Sequence, residues 1–495
     1  MIAPGMKHPK LDLERHFNVR PAIEPGPEAL QADAFVPMPA AMPTDADEAV
    51  QRVNQSALLT QLGTQVAVLA RWEDTRDGQP IAAWKRYSEG EFFTWLQQFT
   101  VKNADGESVG LGRYWRKNAE RPQFMLGAKF VPDETLPAGW FNTWTGFAVT
   151  PTKGDVQPIL DHIGILCGHR IGEVRELLDR LAYFVQHPGK LGEVAIVLQG
   201  PKGTGKGALA GLMLRIFGTH GLHIHQRDQL TGKFNGHLED VAFLVADEAF
   251  FVGDKAAVNA LKGQITDPVQ MIERKGKDAY QAENLKSVMI LTNEQHVVDA
   301  TGDERRFFVI KVPGDHAQDP NYFGPLFEWI DGPGPGRFLH YLLARDLSGF
   351  VPQQTVRTDA LREQIEASLD PLDALFVSWM RDGLFPQRDD YQEAPTSGAS
   401  LQLKEWADDN PPSVTTTALQ SYVEDAIGRK VHKGYQFPTK VGELVKGTLG
   451  ASRRRGSIDG SRQWSYDVPA LSDAREAWAR HQRGTVAEWF GEDEA

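Results

Sequence analysis

Cysteine is nearly absent from this chain: Cys167 stands alone among 495 residues. Intrachain disulfides and any four-cysteine zinc site are thereby excluded, and the composition suits a reducing, cytoplasmic setting. Cys167 lies among apolar neighbours in DHIGILCGHR, where a buried structural thiol is expected rather than a nucleophile. Long apolar runs are missing too. No segment approaches a membrane span and the N-terminus shows no signal-peptide apolar region, so no membrane partner is expected. An excess of positive charge is also lacking, the net charge being −13. That argues against a protein that grips nucleic acid over its whole surface, but not against basic elements confined to a channel or a tail. The hydrophobic fraction of 41% and charged fraction of 24% are those of a folded globular protein, long enough for two or three domains.

Two chemical signatures are absent as well. Primases of the archaeal-eukaryotic type hold metal ions with an Asp-x-Asp pair at a strand end and a downstream histidine. The early match here, Asp45-Ala-Asp47, sits in a Pro/Ala-rich stretch with no apolar strand before it, so no primase domain is expected. The run HGLHIH places His223 and His225 on one face of a short strand, with His220 nearby. No carboxylate or cysteine adjoins them in sequence, and structural histidines are the expectation.

What is present begins at residue 194. VAIVLQGPKGTGK is an apolar run breaking into a glycine-rich loop that ends in lysine, and GALAGLMLRIF continues it with helical apolar spacing. Strand, loop and helix in this order make a nucleoside-triphosphate site. Glycines 200, 203 and 205 let backbone N–H groups face a phosphate chain, and Lys206 brings a cation to the β- and γ-phosphates at a helix N-terminus. The expected nucleotide contacts are Gly200, Pro201, Lys202, Gly203, Thr204, Gly205, Lys206, Gly207 and Ala208. One departure stands out: Gly207 and Ala208 occupy the positions where a Ser or Thr hydroxyl usually meets Mg2+.

Three further segments choose among nucleotide chemistries. DVAFLVADEAFF is a second apolar run ending in Asp247 and Glu248, the first placed to hold Mg2+ and the second to polarise an attacking water. SVMILTN is a third, ending in Asn293, and DERRFFVIKV sets Arg305 and Arg306 before a fourth. A small-molecule kinase would use arginines in a lid over its acceptor. This order suits an oligomeric ATPase with an arginine finger supplied by a neighbour.

LAYFVQHPG, GPKGTGKG, LVADEAFF, ERKGKDAYQAENLKSVMILTNE and DERRFF together resemble the helicase half of phage and plasmid primase-helicases, of helicase superfamily III. GWFNTWTGFAVTPTKGD is similar to the lead-in of the same proteins. The resemblance covers about residues 137 to 312. It implies an α/β fold with a P-loop AAA+-type core, ATP and Mg2+ as cofactors, catalytic roles for Lys206, Asp247, Glu248 and Asn293, and a finger at Arg305 or Arg306. It also implies a homo-oligomer, a hexameric ring, acting on single-stranded and forked DNA in a bacterial or phage-infected cytoplasm, alongside a separate primase or polymerase. A nucleotide-dependent origin-binding or loading protein without processive unwinding is the alternative.

Between the second and third strands, VQMIERKGKDAYQAENL alternates about Arg274-Lys275-Gly276-Lys277 and reads as a β-hairpin with a basic tip. Lys275 and Lys277 suit sequence-independent contact with a DNA backbone; an ordinary solvated turn would use the same residues. Residues 1–55 read as a flexible Pro/Ala-rich leader, 56–150 as a small mixed α/β domain, 151–190 as a helical collar and 191–350 as the nucleotide-binding domain. Trp72, Trp84, Trp95, Trp115, Trp140 and Trp144 in the second of these suit a core better than base stacking. Residues 351–485 read as helices followed by a hairpin around Asp459-Gly460, a winged-helix-like order in which Arg453, Arg454 and Arg455, with Arg462, would meet phosphates; a solvated basic hairpin is the equal alternative. Residues 486–495 read as a frayed acidic tail.

Overall fold

A computed structural model describes residues 35–62, 65–76, 79–226, 228–247, 255–276, 278–294, 304–388, 401–428, 437–458 and 461–491. The chain divides into two units: the described residues up to 294 with Arg305–Val356 make the first, and Glu304 with the described residues from Arg357 onward makes the second.

In the first unit, the residues after 34 do not form a flexible leader. Phe35 and Met38 are buried, and Ala46–Asn54 is a helix (α1) whose N-cap, Asp45, accepts a hydrogen bond from Glu48 N. Helical spacing in ADEAVQRVN puts Ala46, Ala49, Val50 and Val53 on one buried face, which gives this segment a core to join. Asp47 accepts from the Tyr114 hydroxyl, so the Asp45/Asp47 pair has structural partners.

Strands β1 (Ala57–Leu62), β2 (Gln65–Arg76) and β3 (Gln79–Ser88) pair antiparallel in sequence, and β4 (Gln123–Phe124) lies parallel to β1. The period of two sorts the two faces of this sheet. Leu59, Val68 and Ala70 pack with α1, Phe92 and Trp115, whereas Leu58 and Leu69 pack with Phe35 and Phe141. Trp115 is fully buried and its Nε1 donates to Asn54 Oδ1 at 2.9 Å. Trp72 and Trp95 meet edge-on beside it, with centroids 4.9 Å apart. These tryptophans are core.

The second sheet is wholly parallel. Its strands are β5 (Ala195–Gln199), β6 (Gly221–Ile224), β7 (Phe243–Asp247), β8 (Ser287–Thr292) and β9 (Phe307–Lys311), in the spatial order β6-β7-β8-β5-β9. Strands β5, β7 and β8 are buried along nearly their whole length, as the continuous apolar runs require for a sheet covered on both faces. The helices Gln157–Leu166 and Ile171–Gln186 do not form a collar ahead of this sheet. Their apolar stripes, including Ile159, Ile163, Leu177 and Leu181, share one core with the helix Lys206–Phe217 and the sheet, as do Trp144 and the helices Pro320–Asp331 and Gly334–Ala344. Amphipathic helices of this length bury their stripe against the nearest apolar layer, and here that layer is the sheet.

An ion cluster fastens the two sheets together. Arg86 on β3 donates to both Glu239 carboxylate oxygens at 2.9 Å and to Asp240 Oδ2 at 2.8 Å. Burial opposes the charge on Arg86, but Asp240 and Glu239 more than offset it and raise its pKa. Arg274 also reaches Glu239, at 2.6 Å.

The second unit, described by itself, pairs the strands Leu384–Arg388 and Leu401–Glu405 and builds a three-stranded antiparallel sheet from Ser413–Thr415, Ser461–Asp467 and Ser452–Ile458, in that spatial order. Helix Thr416–Ile427 follows the first of these strands. Trp406 and Trp478 are fully buried in this unit. Residues 486–490 are not frayed: Val486–Phe490 is a helix opened by a Thr485/Glu488 capping box, with Trp489 buried.

Replacing Arg86 by Ala leaves the partly buried Asp240 without its cation, with the Thr143 hydroxyl still donating to it. Arg274 still neutralises Glu239, so we expect a loss of about 3 kcal/mol, at the low end for a broken buried pair. Denaturant unfolding checks this, and an unchanged midpoint would remove the cluster from the fold's supports.

Candidate functional site

The glycine-rich loop leaves β5 at Gln199 and closes at the helix Lys206–Phe217. Two of its glycines are conformationally required: Gly203 and Gly205 have φ of 78° and 89°. A Cβ at Gly205 would also lie 2.3 Å from the His162 ring, so loop and helix Gln157–Leu166 approach through a glycine. The Lys206 side chain is buried. Its Nζ donates to the carbonyls of Gly200 and Pro201 at 2.6 and 2.7 Å and lies 3.4 Å from Asn293 Oδ1.

Parallel register brings the partners to this place. Asp247 pairs with Leu291, so the C-terminal ends of β7 and β8 fall level, and Asn293 comes two residues later. Lys206, Asp247 and Asn293 line one cleft of about 670 Å³ together with the loop and Gln318, Phe323 and Phe327. Asp247 is held below the usual carboxylate range, chiefly by His223 facing it, with His225 and Lys206 adding to the effect. Glu248 lies outside the described residues.

Arg305 and Arg306 are elsewhere. Arg306 O accepts from Ala195 N, at the start of β5, whereas the loop begins at its end. Five parallel residues separate the two edges, roughly 16 Å at about 3.3 Å per residue. These arginines do not join the cleft of their own chain.

His162 and Tyr322 were not singled out by sequence reasoning. His162 Nε2 contacts Gly205 O at 3.0 Å and its Nδ1 contacts the Tyr322 hydroxyl at 2.8 Å. The carbonyl only accepts, so Nε2 carries the proton and Nδ1 accepts from Tyr322. Burial pushes the His162 pKa down to about 4. The signal for it was a polar residue at a core position of DHIGILCG. His223 and His225 also differ from expectation. The strand pairing of β6 with β7 supplies the carboxylate that their sequence neighbours lack, His223 Nε2 lying 3.6 Å from Asp247 Oδ2. His220 is structural: buried, it accepts from Thr145 N at 3.0 Å and its Nδ1 contacts Asp240 O.

The strands Val269–Ile272 and Tyr280–Glu283 form a two-stranded antiparallel ladder. Arg274 is turned back onto Gly236 O and Glu239, leaving Lys275 exposed at the turn; Lys277 lies outside the described residues. In the second unit, strand alternation separates the three consecutive arginines. Arg454 pairs with Asp467 at 3.0 Å, while Arg453 and Arg455 flank the exposed Trp464 ring at 4.5 and 5.7 Å from its centroid.

With this geometry in view, comparison with known proteins gives three results. Residues 198–306 match a family of unknown function, DUF5906. A DNA primase-polymerase of Nitratiruptor phage NrS-1 is 32% identical over 137 residues, 27% of this chain and 19% of the relative. The match therefore spans about a fifth of that protein's length. Solved apo structures of the NrS-1 C-terminal region share the fold, with TM-scores of 0.60 and 0.59, 18% identity, 84% of this chain covered and 96% of theirs. The chain is thus a mixed α/β protein related in sequence to a phage replication protein.

Folded His162 has a pKa below its unfolded value near 6.5, so the unfolded chain binds the extra proton between about pH 6.5 and pH 4. The stability this residue contributes is complete above pH 6.5 and is lost as pH falls toward 4. We expect the melting temperature of the protein to drop across that window and His162→Gln to drop less steeply. Equal slopes in calorimetry would take His162 out of the acid response.

Proposed function

We propose that the chain is an ATP-driven, ring-forming DNA translocase that unwinds duplex DNA during replication of a phage or related element. The observation that carries this reading is the meeting of Lys206, Asp247 and Asn293 in one cleft while Arg305 and Arg306 lie at the far edge of the same sheet. The β6-β7-β8-β5-β9 order, with the loop strand between the Asn293 strand and the arginine strand, supports reading the sheet as a P-loop AAA+-type core. The phage relative, a DNA primase-polymerase, supports a role in the same process.

The residues fit a nucleotide with its cation. The loop glycines leave room at the mouth, and Lys206 Nζ donates to carbonyls of its own loop beside Asn293, contacts that a triphosphate would replace with stronger charge-assisted ones. Asp247, ionised at neutral pH, is the described carboxylate that would hold Mg2+. Mg2+ would neutralise charge on the phosphates. Lys206 and Asn293 would orient the γ-phosphate, and Glu248 would polarise the attacking water. A Cβ at Gly207 meets nothing within 4 Å, so no steric limit bars a hydroxyl-bearing residue at that position.

A finger displaced by one strand length from its own cleft is one that serves a neighbour. The hairpin with Lys275 and Lys277 would follow the DNA backbone in the ring channel. In the second unit, the three-stranded sheet and helix Thr416–Ile427 make a winged-helix-like module. Arg453, Arg455 and Trp464 form its cationic and aromatic face, with Arg454 held by Asp467.

Strand displacement from a forked substrate, with ATP hydrolysis measured with and without single-stranded DNA, tests the proposal. Hydrolysis without displacement would favour an origin-loading protein. Lys206→Ala should weaken nucleotide binding, and Glu248→Gln should retain ATP but stop turnover. Asp247→Asn should abolish metal-dependent hydrolysis.

Removing Arg305 and Arg306 together should cost on the order of 10³-fold in turnover. Mixing that double variant with Lys206→Ala should recover part of it, because a finger-intact subunit can complete a lysine-intact cleft. A mixture that forms oligomers yet stays inactive would defeat the shared-site ring. Lys275→Ala with Lys277→Ala should leave basal hydrolysis near its original rate and remove its stimulation by DNA. Retained stimulation would return the hairpin tip to an ordinary solvated turn.

A further inference from the structure

We propose that His223, His225 and Asp247 form a binding site for a first-row transition dication such as Zn2+, Co2+ or Mn2+, at the end of the parallel sheet beside the nucleotide cleft. The site is built by strand pairing. His223 and His225 are two residues apart and so share a face, their ring centroids 4.0 Å apart. Strand β6 runs parallel to β7 with Ile224 beside Ala246, so one further step brings His225 level with Asp247. One ligand atom from each of the three side chains lies within 4.8 Å of the others.

The separation of the groups suits an ion between them. Two ligands each about 2.1 Å from a common tetrahedral ion lie about 3.4 Å apart. His223 Nε2 and Asp247 Oδ2 are 3.6 Å apart, too far for a hydrogen bond and close to the coordinated spacing. His223 Nε2 is also a buried polar atom with no hydrogen-bond partner among the described residues. A buried nitrogen left unmade costs stability, and a metal bond satisfies it.

The donor set chooses the cation class. Mg2+ demands octahedral oxygen coordination and keeps its waters, so two imidazoles are a poor site for it. Two histidines and one carboxylate suit Zn2+, Co2+, Mn2+ or Fe2+, and three protein ligands leave positions open for water or a phosphate oxygen. Asp247 also lines the nucleotide cleft, so its carboxylate would be common to both places. That consequence rests on the nucleotide reading above; the metal site does not.

Titration of the nucleotide-free full chain with Co2+, followed by visible absorption, and with Zn2+, followed by calorimetry, tests the proposal. We expect one ion per chain with a ligand-field spectrum for imidazole coordination. His223→Ala and His225→Ala should each weaken binding by more than about tenfold, the loss that even an outer-shell change produces. Lys206→Ala should bind Co2+ as the parent does while losing nucleotide. Nucleotide binding retained by that variant would overturn the cleft assignment and leave the metal site standing. Absence of stoichiometric Co2+ and Zn2+ binding by the unaltered protein would overturn the site without any variant having to fold. Equal affinity in the histidine variants, shown folded by circular dichroism, would do the same.

Discussion

The in-register parallel pairing of β5, β7 and β8 is the constraint on which the rest depends. Apart from Ser287 at the start of β8, these strands carry their polar residues at or beyond their C-terminal ends, and the pairing of Asp247 with Leu291 and of Leu291 with Leu198 sets those ends level. A shift of one residue would point Asp247 to the opposite face of the sheet and separate it from Lys206. Both faces of these strands are buried, so the same slip would turn Val245 and Met289 away from the core they share with the helices and put differently shaped neighbours in their place. Core packing and site assembly are therefore one event in this fold.

A second support acts on the loop itself. Glycines at 203 and 205 permit the turn but do not hold it; their freedom must be taken up by contacts. His162 supplies one through the Gly205 carbonyl, and Gln318 N supplies another by donating to Gly203 O at 3.0 Å. Tyr322 fixes the tautomer that lets His162 donate. The helices read as a separate collar thus carry a bracing group for the loop, which explains why they share its core.

Much of the central sheet was legible because its strands are local signals: an apolar run, then a polar residue of particular type. Lys206, Asp247 and Asn293 could be placed from that pattern alone. Groups whose meaning depends on a neighbour across the sheet could not. HGLHIH shows no carboxylate nearby in sequence, yet β7 brings one from more than twenty residues away. The Pro/Ala-rich stretch hid α1 for a similar reason: a nine-residue helix has weak propensity and forms only with a core to cover. The three arginines 453–455 looked equivalent as a string, and only strand alternation separates Arg454 from its neighbours.

Charge placement reconciles an acidic chain with a proposed hold on DNA. At the root of the hairpin after β7, Arg274 is consumed by Glu239, which with Asp240 also holds Arg86. Lys286, fully buried beside this cluster, donates to Gln270 Oε1 at 2.7 Å and to Asn284 Oδ1 at 3.1 Å, and burial takes its pKa down to about 7. The root is thus fixed by neutralised or hydrogen-bonded charge, while Lys275 at the turn remains in solvent. Under the proposed translocase reading, an anchored base with an exposed cationic tip would transmit motion of the core to the DNA it touches. A hairpin with its cations spread evenly would bind an anion more tightly, but its ladder would have no anchor to move it.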